Sequence, residues 1–393
     1  MSFPINPLLT AVEAPPISEA MSWIDPSASN RALINLCQAV PSYPPSPLLQ
    51  EHLSSAVRQA DTSLYTDIAG LPELRAELAA TMSQDYLGDI GARDVLISAG
   101  CNQAYCLATL ALARRGDNVI LPSPFYFNHQ MWLSMLGIET RNILSTEQSD
   151  LVPSMSEAAA AIDGRTRAIV LVSPNNPTGA IFPPDAIAAF YELAREKNIA
   201  LILDETYKDF RPDPAPPHDV FQRPGWRDTF VQLYSFSKVY ALTGYRVGSL
   251  IAGPNFIAEV EKIMDCVAIS APRVSQHAAL FGLQLLAAWK DEKSAMMAER
   301  LTALRRAFAE RKLQYELASS GAYFAYVRHP FDGVSAKTVA QRLAREHQLL
   351  CLPGSMFGSG QDRYLRLAFA NVEAKVMPEV VERLYESVKN ASF

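Results

Sequence analysis

Short apolar runs alternate with helical segments from about residue 70 to about residue 254, and this alternation limits the possible folds more than any other feature. Segments 102–116 and 184–198 have helical spacing. The apolar runs, rich in Val, Ile and Leu, are DVLISAG (94–100), NVILPSP (118–124), TRAIVLVSP (166–174), IALILDE (199–205) and TFVQLY (229–234). Runs that stay apolar throughout are typical of strands buried on both faces. The sequence therefore predicts an α/β fold with a mainly parallel sheet sandwiched between helices.

The two ends of the chain have a different character from this central region. The 393 residues are too many for one core and suggest two or three domains. Prolines make the segment 40–47 irregular, and a long helical stretch at 274–315 leads into a smaller α+β region. We therefore expect an N-terminal arm (1–45) that packs with the small domain, a large domain (46–283) and a small C-terminal domain (284–393) that begins in a connector helix.

Composition excludes several kinds of partner. The net charge of −6 argues against a nucleic-acid surface, and no run of 18 apolar residues predicts a membrane span. The N-terminus lacks the basic and apolar regions of a signal peptide. The five cysteines are scattered without a C-x-x-C pair, and the six histidines show no metal-binding spacing. We expect a cytoplasmic protein without a metal site, a membrane partner or a nucleic-acid partner.

Polar residues follow three of the apolar runs, where the carboxyl ends of parallel strands would meet in one crevice. The three groups are Asn175, Asn176 and Thr178; Asp204, Glu205 and Tyr207; and Ser235, Ser237 and Lys238. Taken singly, each group has an ordinary interpretation as a turn, a helix cap or a solvated lysine. Together they place an amide, a carboxylate, a phenol and an amine at one edge of the sheet.

A phosphate site is predicted beside these groups. The turn SAGCNQA (98–104) joins a strand to a helix, so its free N–H groups and the helix dipole favour an anion. Arg246 offers a bidentate fork to phosphate, and Ser235 adds a hydroxyl group. An amine, a carboxylate and a phosphate site together suit a cofactor with an aldehyde, a basic ring nitrogen and a phosphate. Pyridoxal phosphate has all three groups.

The chain resembles a known family, the fold-type-I pyridoxal-phosphate aminotransferases of class I/II. The motifs that carry the resemblance are YTDIAGLPELR (65–75), SAGCNQA (98–104), PFYF (124–127), SPNNPTG (173–179), DETYKDF (204–210), SFSKVYALTGYRVG (235–248) and YLRLAFA (364–370). They occur in the family's order over nearly the whole chain. The resemblance implies the fold type I architecture, with a seven-stranded sheet in the large domain.

The resemblance also implies roles around the cofactor ring. Lys238 matches the lysine that forms the internal aldimine with pyridoxal phosphate and then carries the proton as a general acid and base. Asp204 matches the residue that pairs with the pyridine nitrogen, and Asn176 and Tyr207 match those that bind the phenolic oxygen. Tyr126 matches an aromatic residue that stacks on the ring, although a tyrosine here also suits a hydrophobic core.

Further matches concern the cofactor phosphate. Ser235, Ser237 and Arg246 match its side-chain ligands, and Gly100, Cys101 and Asn102 match the turn whose backbone amides hold it. Cys101 and Asn102 depart from the commoner small or hydroxyl residues, and the implied contact is through their backbone amides. Tyr65 matches a tyrosine that reaches the phosphate of the neighbouring subunit, although a packed surface aromatic is the alternative. The resemblance thus implies a homodimer with shared active sites.

Two matches concern the substrate. Arg366 matches the arginine that grips the substrate α-carboxylate, together with Asn176. Ala39 stands where many relatives have a glycine in a substrate-facing loop, and its methyl group leaves the substrate side chain undecided. Arg273 is a candidate partner for a second substrate carboxylate, with a solvated surface arginine as the alternative.

Three functions are considered for a chain with these residues. The resemblance implies an aminotransferase that moves an amino group from an L-amino acid to a 2-oxo acid in a ping-pong reaction. A carbon–sulfur β-lyase is the alternative on the same fold, because the same carbanion can expel a β-thiolate. A non-catalytic regulator is disfavoured, since the N-terminal arm is too short and too rich in proline for a DNA-binding module.

Overall fold

A computed structural model of the chain describes residues 3–25 and 31–389. Residues 1–2 and 26–30 of the predicted arm, and residues 390–393 of the predicted small domain, lie outside the described residues.

The helices and strands of the described ranges alternate over most of the chain. The helices are α1 (Pro7–Thr10), α2 (Pro16–Met21), α3 (Pro47–Ala56), α4 (Pro72–Tyr86), α5 (Cys101–Leu112), α6 (Phe127–Leu136), α7 (Met155–Ala161), α8 (Pro184–Lys197), α9 (Phe236–Val239), α10 (Pro254–Ala268), α11 (Arg273–Leu285), α12 (Ala287–Glu310), α13 (Ala336–His347) and α14 (Met377–Lys389). The strands are β1 (Ile34–Asn35), β2 (Val95–Ser98), β3 (Asn118–Ser123), β4 (Glu139–Leu144), β5 (Thr166–Val172), β6 (Ala200–Asp204), β7 (Phe230–Ser235), β8 (Gly248–Ile251), β9 (Glu316–Gly321), β10 (Phe324–Arg328), β11 (Leu349–Leu350), β12 (Leu352–Pro353) and β13 (Tyr364–Leu367).

The central sheet has seven strands in the order β2-β8-β7-β6-β5-β3-β4. The pairs β7/β6, β6/β5, β5/β3 and β3/β4 are parallel, whereas β8 runs antiparallel to both of its neighbours. Every residue of β3, β6 and β7 is buried, as expected for strands covered by helices on both faces. The predicted α/β fold with a mainly parallel sheet is confirmed.

The carboxyl ends of β5, β6 and β7 lie side by side. Val172 pairs with Asp204, and Asp204 pairs with Leu233. The residues that follow these strand ends therefore meet at one edge of the sheet, which is the geometry that the sequence predicts.

A second, smaller sheet lies in the C-terminal part of the chain. Its strand order is β12-β13-β10-β9, and each pair is antiparallel. Its buried side chains form a core with residues of α13 and α14. Ala20, Trp23 and Leu36 of the N-terminal segment belong to the same core, and β1 pairs with β11. The domain boundaries after residues 45 and 283 remain a prediction.

The helical stretch predicted at 274–315 consists of two helices, α11 and α12. They meet at Leu286, whose φ of −114° and ψ of 27° are not helical. The two helices have different neighbours, since α11 packs on α3 and α4 whereas α12 packs on α14. Helix α12 runs from one core to the other, since Met297 lies in the core of the central sheet and Leu304 in that of the smaller sheet. The sequence has no proline or glycine at the break to mark it.

None of the helices in the described ranges combines the length and the apolar character that a membrane crossing needs.

Candidate active site

A cavity of about 470 Å³ opens at the carboxyl edge of the central sheet, between that edge, the N-terminal segment and the smaller sheet. It brings together most of the residues that the sequence singles out. Those that line it are Ala39, Cys101, Asn102, Tyr126, Asn176, Asp204, Tyr207, Ser235, Ser237, Lys238, Arg246 and Arg366. Gly100 lies next to the cavity, beside Arg246. Tyr65 does not line it and is 73% exposed on the surface.

Lys238 lies in the one-turn helix α9, directly after β7. Its Nζ donates a hydrogen bond to the carbonyl oxygen of Ala39 at 2.6 Å. Burial, followed by the positive charges of Arg246 and Arg366, lowers the pKa of Lys238 to about 8. An amine with this pKa is neutral, and therefore nucleophilic, in about one molecule in ten at pH 7, far more often than an ordinary lysine.

Asp204 is the last residue of β6 and is buried at the floor of the cavity. Its Oδ2 lies 3.4 Å from His129 Nε2, and its Oδ1 accepts a hydrogen bond from the backbone N–H of Thr206 at 3.0 Å. Burial raises the pKa of Asp204, but the interactions with His129 and Thr206 outweigh it and hold the pKa below its ordinary value. The carboxylate is thus kept ionised at a site that water hardly reaches.

Cys101 contributes its side chain as well as its backbone. Its Sγ lies 3.6 Å from Asp204 Oδ1. Burial and then the charge of Asp204 raise the pKa of this thiol well above its ordinary value, so it remains a protonated donor. Although Cys101 departs from the residues usual in the family, it adds a weak hydrogen bond that holds the carboxylate.

The anion-binding end of the cavity is a tightly packed turn. Gly100 has a φ of +88°, and a Cβ there would lie 2.3 Å from Arg246 Nη2. A Cβ at Gly248 would lie 2.6 Å from the backbone nitrogen of Cys101, so β8 can approach the start of α5 only with glycine. Ser235 Oγ accepts a hydrogen bond from Ser237 N at 3.2 Å. Backbone amides, two hydroxyl groups and a guanidinium group thus surround one small volume.

Substituting Gly100 with alanine should weaken cofactor binding. The new methyl group would displace Arg246, whose charge-assisted bond to phosphate is worth about 1.5–3 kcal/mol, so we expect the Kd for pyridoxal phosphate to rise about 10- to 100-fold. Titration of the cofactor-free protein with pyridoxal phosphate measures this. Gly244→Ala is the matched control, because a Cβ there meets nothing within 4 Å. Equal Kd values for both variants would contradict the predicted role of the turn.

Arg366 marks the opposite end of the cavity, on β13 of the smaller sheet. Its Nη1 donates to Asn176 Oδ1 at 3.1 Å, and its Nη2 donates to the carbonyl oxygen of Cys37. The guanidinium carbon lies 5.0 Å from the ring centroids of both Phe324 and Phe357. In the described residues its Nε is buried without a hydrogen-bond partner. The arginine is therefore held rigidly while a donor remains for an anionic ligand.

Two tyrosines lie between these ends. Tyr126 precedes α6, and its hydroxyl oxygen accepts a hydrogen bond from Asn128 Nδ2 at 2.7 Å. Burial and then the neighbouring Tyr126 raise the pKa of Tyr207 well above its ordinary value, so its hydroxyl group keeps its proton. Lys238 Nζ lies 6.0 Å from the centroid of the Tyr207 ring.

Sequence reasoning missed several residues of the cavity. His129 lies three residues after Tyr126, and a lone histidine in a helix gives no signal that it will contact an aspartate 75 residues later. The sequence also contains no indication, apart from Ala39, that the N-terminal arm lines the cavity. Its further cavity-lining residues are Pro15, Ile17, Gln38 and Val40.

The residues present fit pyridoxal phosphate. The charged side chains that line the cavity are three cations, Lys238, Arg246 and Arg366, and one carboxylate, Asp204. Such a surplus of positive charge suits anionic ligands, a phosphate at the Arg246 end and a carboxylate at the Arg366 end. At the phosphate end, the turn contains glycines whose positions leave no room for a Cβ. At the other side of the ring site, an ionised carboxylate is available to a basic ring nitrogen.

The fold and this site together define a pyridoxal-phosphate enzyme. Residues 31–384 match the family of class I and II aminotransferases. The chain is 30% identical over 367 residues to an aspartate aminotransferase of Thermotoga maritima, covering 91% of this chain and 89% of the relative. It is 26% identical over 363 residues to an aromatic aminotransferase of Arabidopsis thaliana, covering 91% and 90%.

Solved structures show the same fold. The aspartate aminotransferase of Thermotoga maritima superposes with a TM-score of 0.89 at 23% identity, covering 98% of this chain and all of the other (100%). The aromatic aminotransferase of Pyrococcus horikoshii superposes with a TM-score of 0.85 at 22% identity, covering 95% and 98%.

The chain therefore belongs to the class I and II aminotransferases. It is a pyridoxal-phosphate-dependent aminotransferase, and its substrates are amino acids and 2-oxo acids. The predicted enzyme class and cofactor are confirmed.

Proposed function

We propose that the amine of Lys238 binds the cofactor covalently and moves the proton during transfer of an amino group from an L-amino acid to a 2-oxo acid. The observation that carries this proposal is the lowered pKa of a half-buried lysine that shares one cavity with a carboxylate and two arginines. The reaction is ping-pong, so the amino acid and the 2-oxo acid use the same cavity in turn.

Lys238 is the general acid and base. Pyridoxal phosphate, when bound, withdraws electrons from the substrate Cα and so makes its proton removable. Because Lys238 lines the cavity, its amine could take the proton from Cα and return it to the same ligand. Its position close to Ala39 O keeps it near the substrate-facing loop.

Asp204 would face the ring nitrogen of the bound cofactor and favour its protonated form. An ionised carboxylate in a buried site favours a protonated nitrogen opposite to it. His129, Thr206 and Cys101 hold this carboxylate from the protein side, so it remains in place between the two half-reactions. Asn176 and Tyr207 are the proposed partners of the phenolic oxygen.

Two guanidinium groups orient the ligands from opposite ends. Arg246, Ser235 and Ser237, with the backbone at Gly100, Cys101 and Asn102, would hold the phosphate. Arg366 would grip the substrate α-carboxylate beside Asn176, which fixes the direction of the Cα–H bond. Tyr126 supplies an aromatic face at the wall of the cavity. Ala39 contributes a carbonyl acceptor and a methyl group on the substrate side.

A homodimer completes the proposal. Tyr65 lies outside the cavity, in an exposed apolar patch with Leu64, Val267 and Ile269, whose exposures range from 37% to 73%. The hydrogen bond from Thr66 N to Ser270 Oγ holds the two parts of this patch together. Such a patch suits a contact with a second copy, in which Tyr65 would reach the neighbouring cavity. Light scattering measures the mass of the assembly and so tests the dimer. In mixed dimers of Tyr65→Ala and Lys238→Ala subunits, one of the two sites keeps both residues, so half of the sites should be active.

The protein is also proposed to work in the cytoplasm. Its five cysteines are all free thiols, and three of them, Cys37, Cys101 and Cys351, are buried. Free thiols are typical of a reducing compartment.

A half-reaction screen tests the proposed function. The holoenzyme is mixed with single amino acids, and conversion of bound pyridoxal phosphate to pyridoxamine phosphate is followed by absorbance. We expect conversion without any acceptor and its reversal by a 2-oxo acid. Release of pyruvate and ammonia from a cysteine conjugate, with no pyridoxamine phosphate formed, would instead identify the β-lyase.

The rate of cofactor uptake should depend on pH through Lys238. With its pKa lowered to about 8 by burial and then by the two arginines, the neutral fraction of the amine rises as the pH rises through that value. We expect the rate at which the cofactor-free protein combines with pyridoxal phosphate to increase about tenfold from pH 7 to pH 9. An ordinary exposed lysine would give an increase of about a hundredfold over this interval. Rapid mixing at a series of pH values distinguishes the two results.

A further inference from the structure

The described residues of one chain place no spare cation in the cavity for a second substrate carboxylate. In the described ranges its only lysine and arginine side chains are Lys238, Arg246 and Arg366. The eleven residues outside those ranges include no lysine or arginine. Each of the three cations has a task in the proposed function, namely the cofactor aldehyde, the phosphate and the α-carboxylate.

Arg273, the candidate for a second carboxylate site, lies elsewhere. It begins α11, and its Nη2 forms an ion pair with Asp61 Oδ2 at 2.7 Å. It does not line the cavity. One end of its guanidinium group is therefore engaged by Asp61 outside the cavity of its own chain.

The rest of the cavity wall is neutral and mostly apolar. The lining residues to which no role in holding the cofactor is assigned are Pro15, Ile17, Gln38, Val40, Phe127, Asn128, Val172 and Thr243. The ring centroids of Phe127 and Phe357 are 5.5 Å apart. The guanidinium carbon of Arg366 lies 5.0 Å from the ring centroid of Phe357. The apolar wall therefore begins beside the group that would hold the α-carboxylate, where a substrate side chain must lie.

We propose that this enzyme prefers amino acids with an apolar, uncharged side chain over dicarboxylic amino acids. A second carboxylate placed against Ile17, Val40 and Phe127 would lose its water without gaining a cation, which is costly. An apolar side chain gains from the same burial. Because both half-reactions use one cavity, the preferred 2-oxo acid is a monocarboxylate as well. This inference rests on the proposed function and sets the chain apart from the relatives named aspartate aminotransferase.

The holoenzyme tests the inference directly. The apparent second-order rate constant for conversion of bound pyridoxal phosphate is measured with L-phenylalanine, L-leucine, L-aspartate and L-glutamate. We expect the better apolar substrate to exceed the better dicarboxylic one by about 10- to 100-fold. A ratio below ten overturns the inference and leaves the aminotransferase function standing. If none of a full set of amino acids converts the cofactor, the proposed function itself fails.

A matched pair of variants tests the physical cause. Ile17→Arg places a cation in the apolar wall, and Ile17→Gln has a similar length without the charge. We expect Ile17→Arg to raise the ratio of dicarboxylic to apolar rates about tenfold above that of Ile17→Gln. Equal ratios in the two variants would show that charge does not limit the substrate. Arg273→Gln should leave the parent's ratio of dicarboxylic to apolar rates unchanged. A fall in that ratio would assign Arg273 to the neighbouring subunit's cavity and overturn the inference.

Discussion

Replacement of Lys238 by alanine should leave a folded protein that binds pyridoxal phosphate without a covalent bond and no longer turns over. The variant loses both the amine that attaches the cofactor and the group that moves the proton. We expect turnover to fall by at least about 10⁴-fold, the upper range for a positioned acid–base group. Borohydride reduction followed by intact mass measurement reports the covalent bond, since the parent gains the mass of the reduced cofactor and the variant does not.

An exposed lysine provides the control for this experiment. Lys262 on α10 is 70% exposed in its side chain and forms an ion pair with Glu259 at 2.7 Å, so Lys262→Ala should keep both the covalent cofactor and the activity. Full turnover by Lys238→Ala, or cofactor mass found on another lysine of the parent, would contradict the assignment of Lys238.

Replacement of Asp204 by alanine should reduce the rate much more than it reduces cofactor binding. Without the carboxylate, the ring nitrogen has no partner that keeps its proton, and the ring withdraws electrons less strongly. We expect kcat to fall about 10²- to 10³-fold, as for the loss of one preorganised electrostatic group. Cofactor affinity should change less, because the phosphate site and Lys238 remain. Stopped-flow half-reactions and a cofactor titration measure the two effects separately.

The adjacent carboxylate is a matched control for Asp204. Glu205 is equally buried but does not line the cavity. Its Oε2 accepts a hydrogen bond from Tyr86 Oη at 2.7 Å and lies 3.3 Å from His218 Nε2. Glu205→Gln should keep the half-reaction rate in the folded fraction. If Asp204→Ala reacted as fast as the parent, the pairing with the ring nitrogen would be wrong.

Much of this molecule follows from local patterns in the sequence. The apolar runs at 166–174 and 199–205 predict adjacent buried strands, and β5 and β6 are paired in parallel. Because parallel strands end at one edge, the positions of Asn176, Asp204 and Lys238 around one cavity follow from the order of the motifs.

Other features depend on contacts between distant segments. No local signal connects His129 or Cys101 to Asp204, because each contact requires β6, α5 and α6 to pack against one another first. The break at Leu286 has no proline or glycine to mark it and separates α11, which packs on α3 and α4, from α12, which spans both cores.

The sequence by itself determined the class of fold and the cofactor chemistry, and it singled out Lys238 and Asp204 at strand ends together with Arg246 and Arg366, because periodicity and motifs are local properties. Only the tertiary structure decided what surrounds them. It set the environment that lowers the pKa of Lys238, the donors that hold Asp204 and the apolar lining contributed by Pro15, Ile17 and Val40. Those properties arise from burial and from charges brought together across the chain, and no short stretch of sequence contains them.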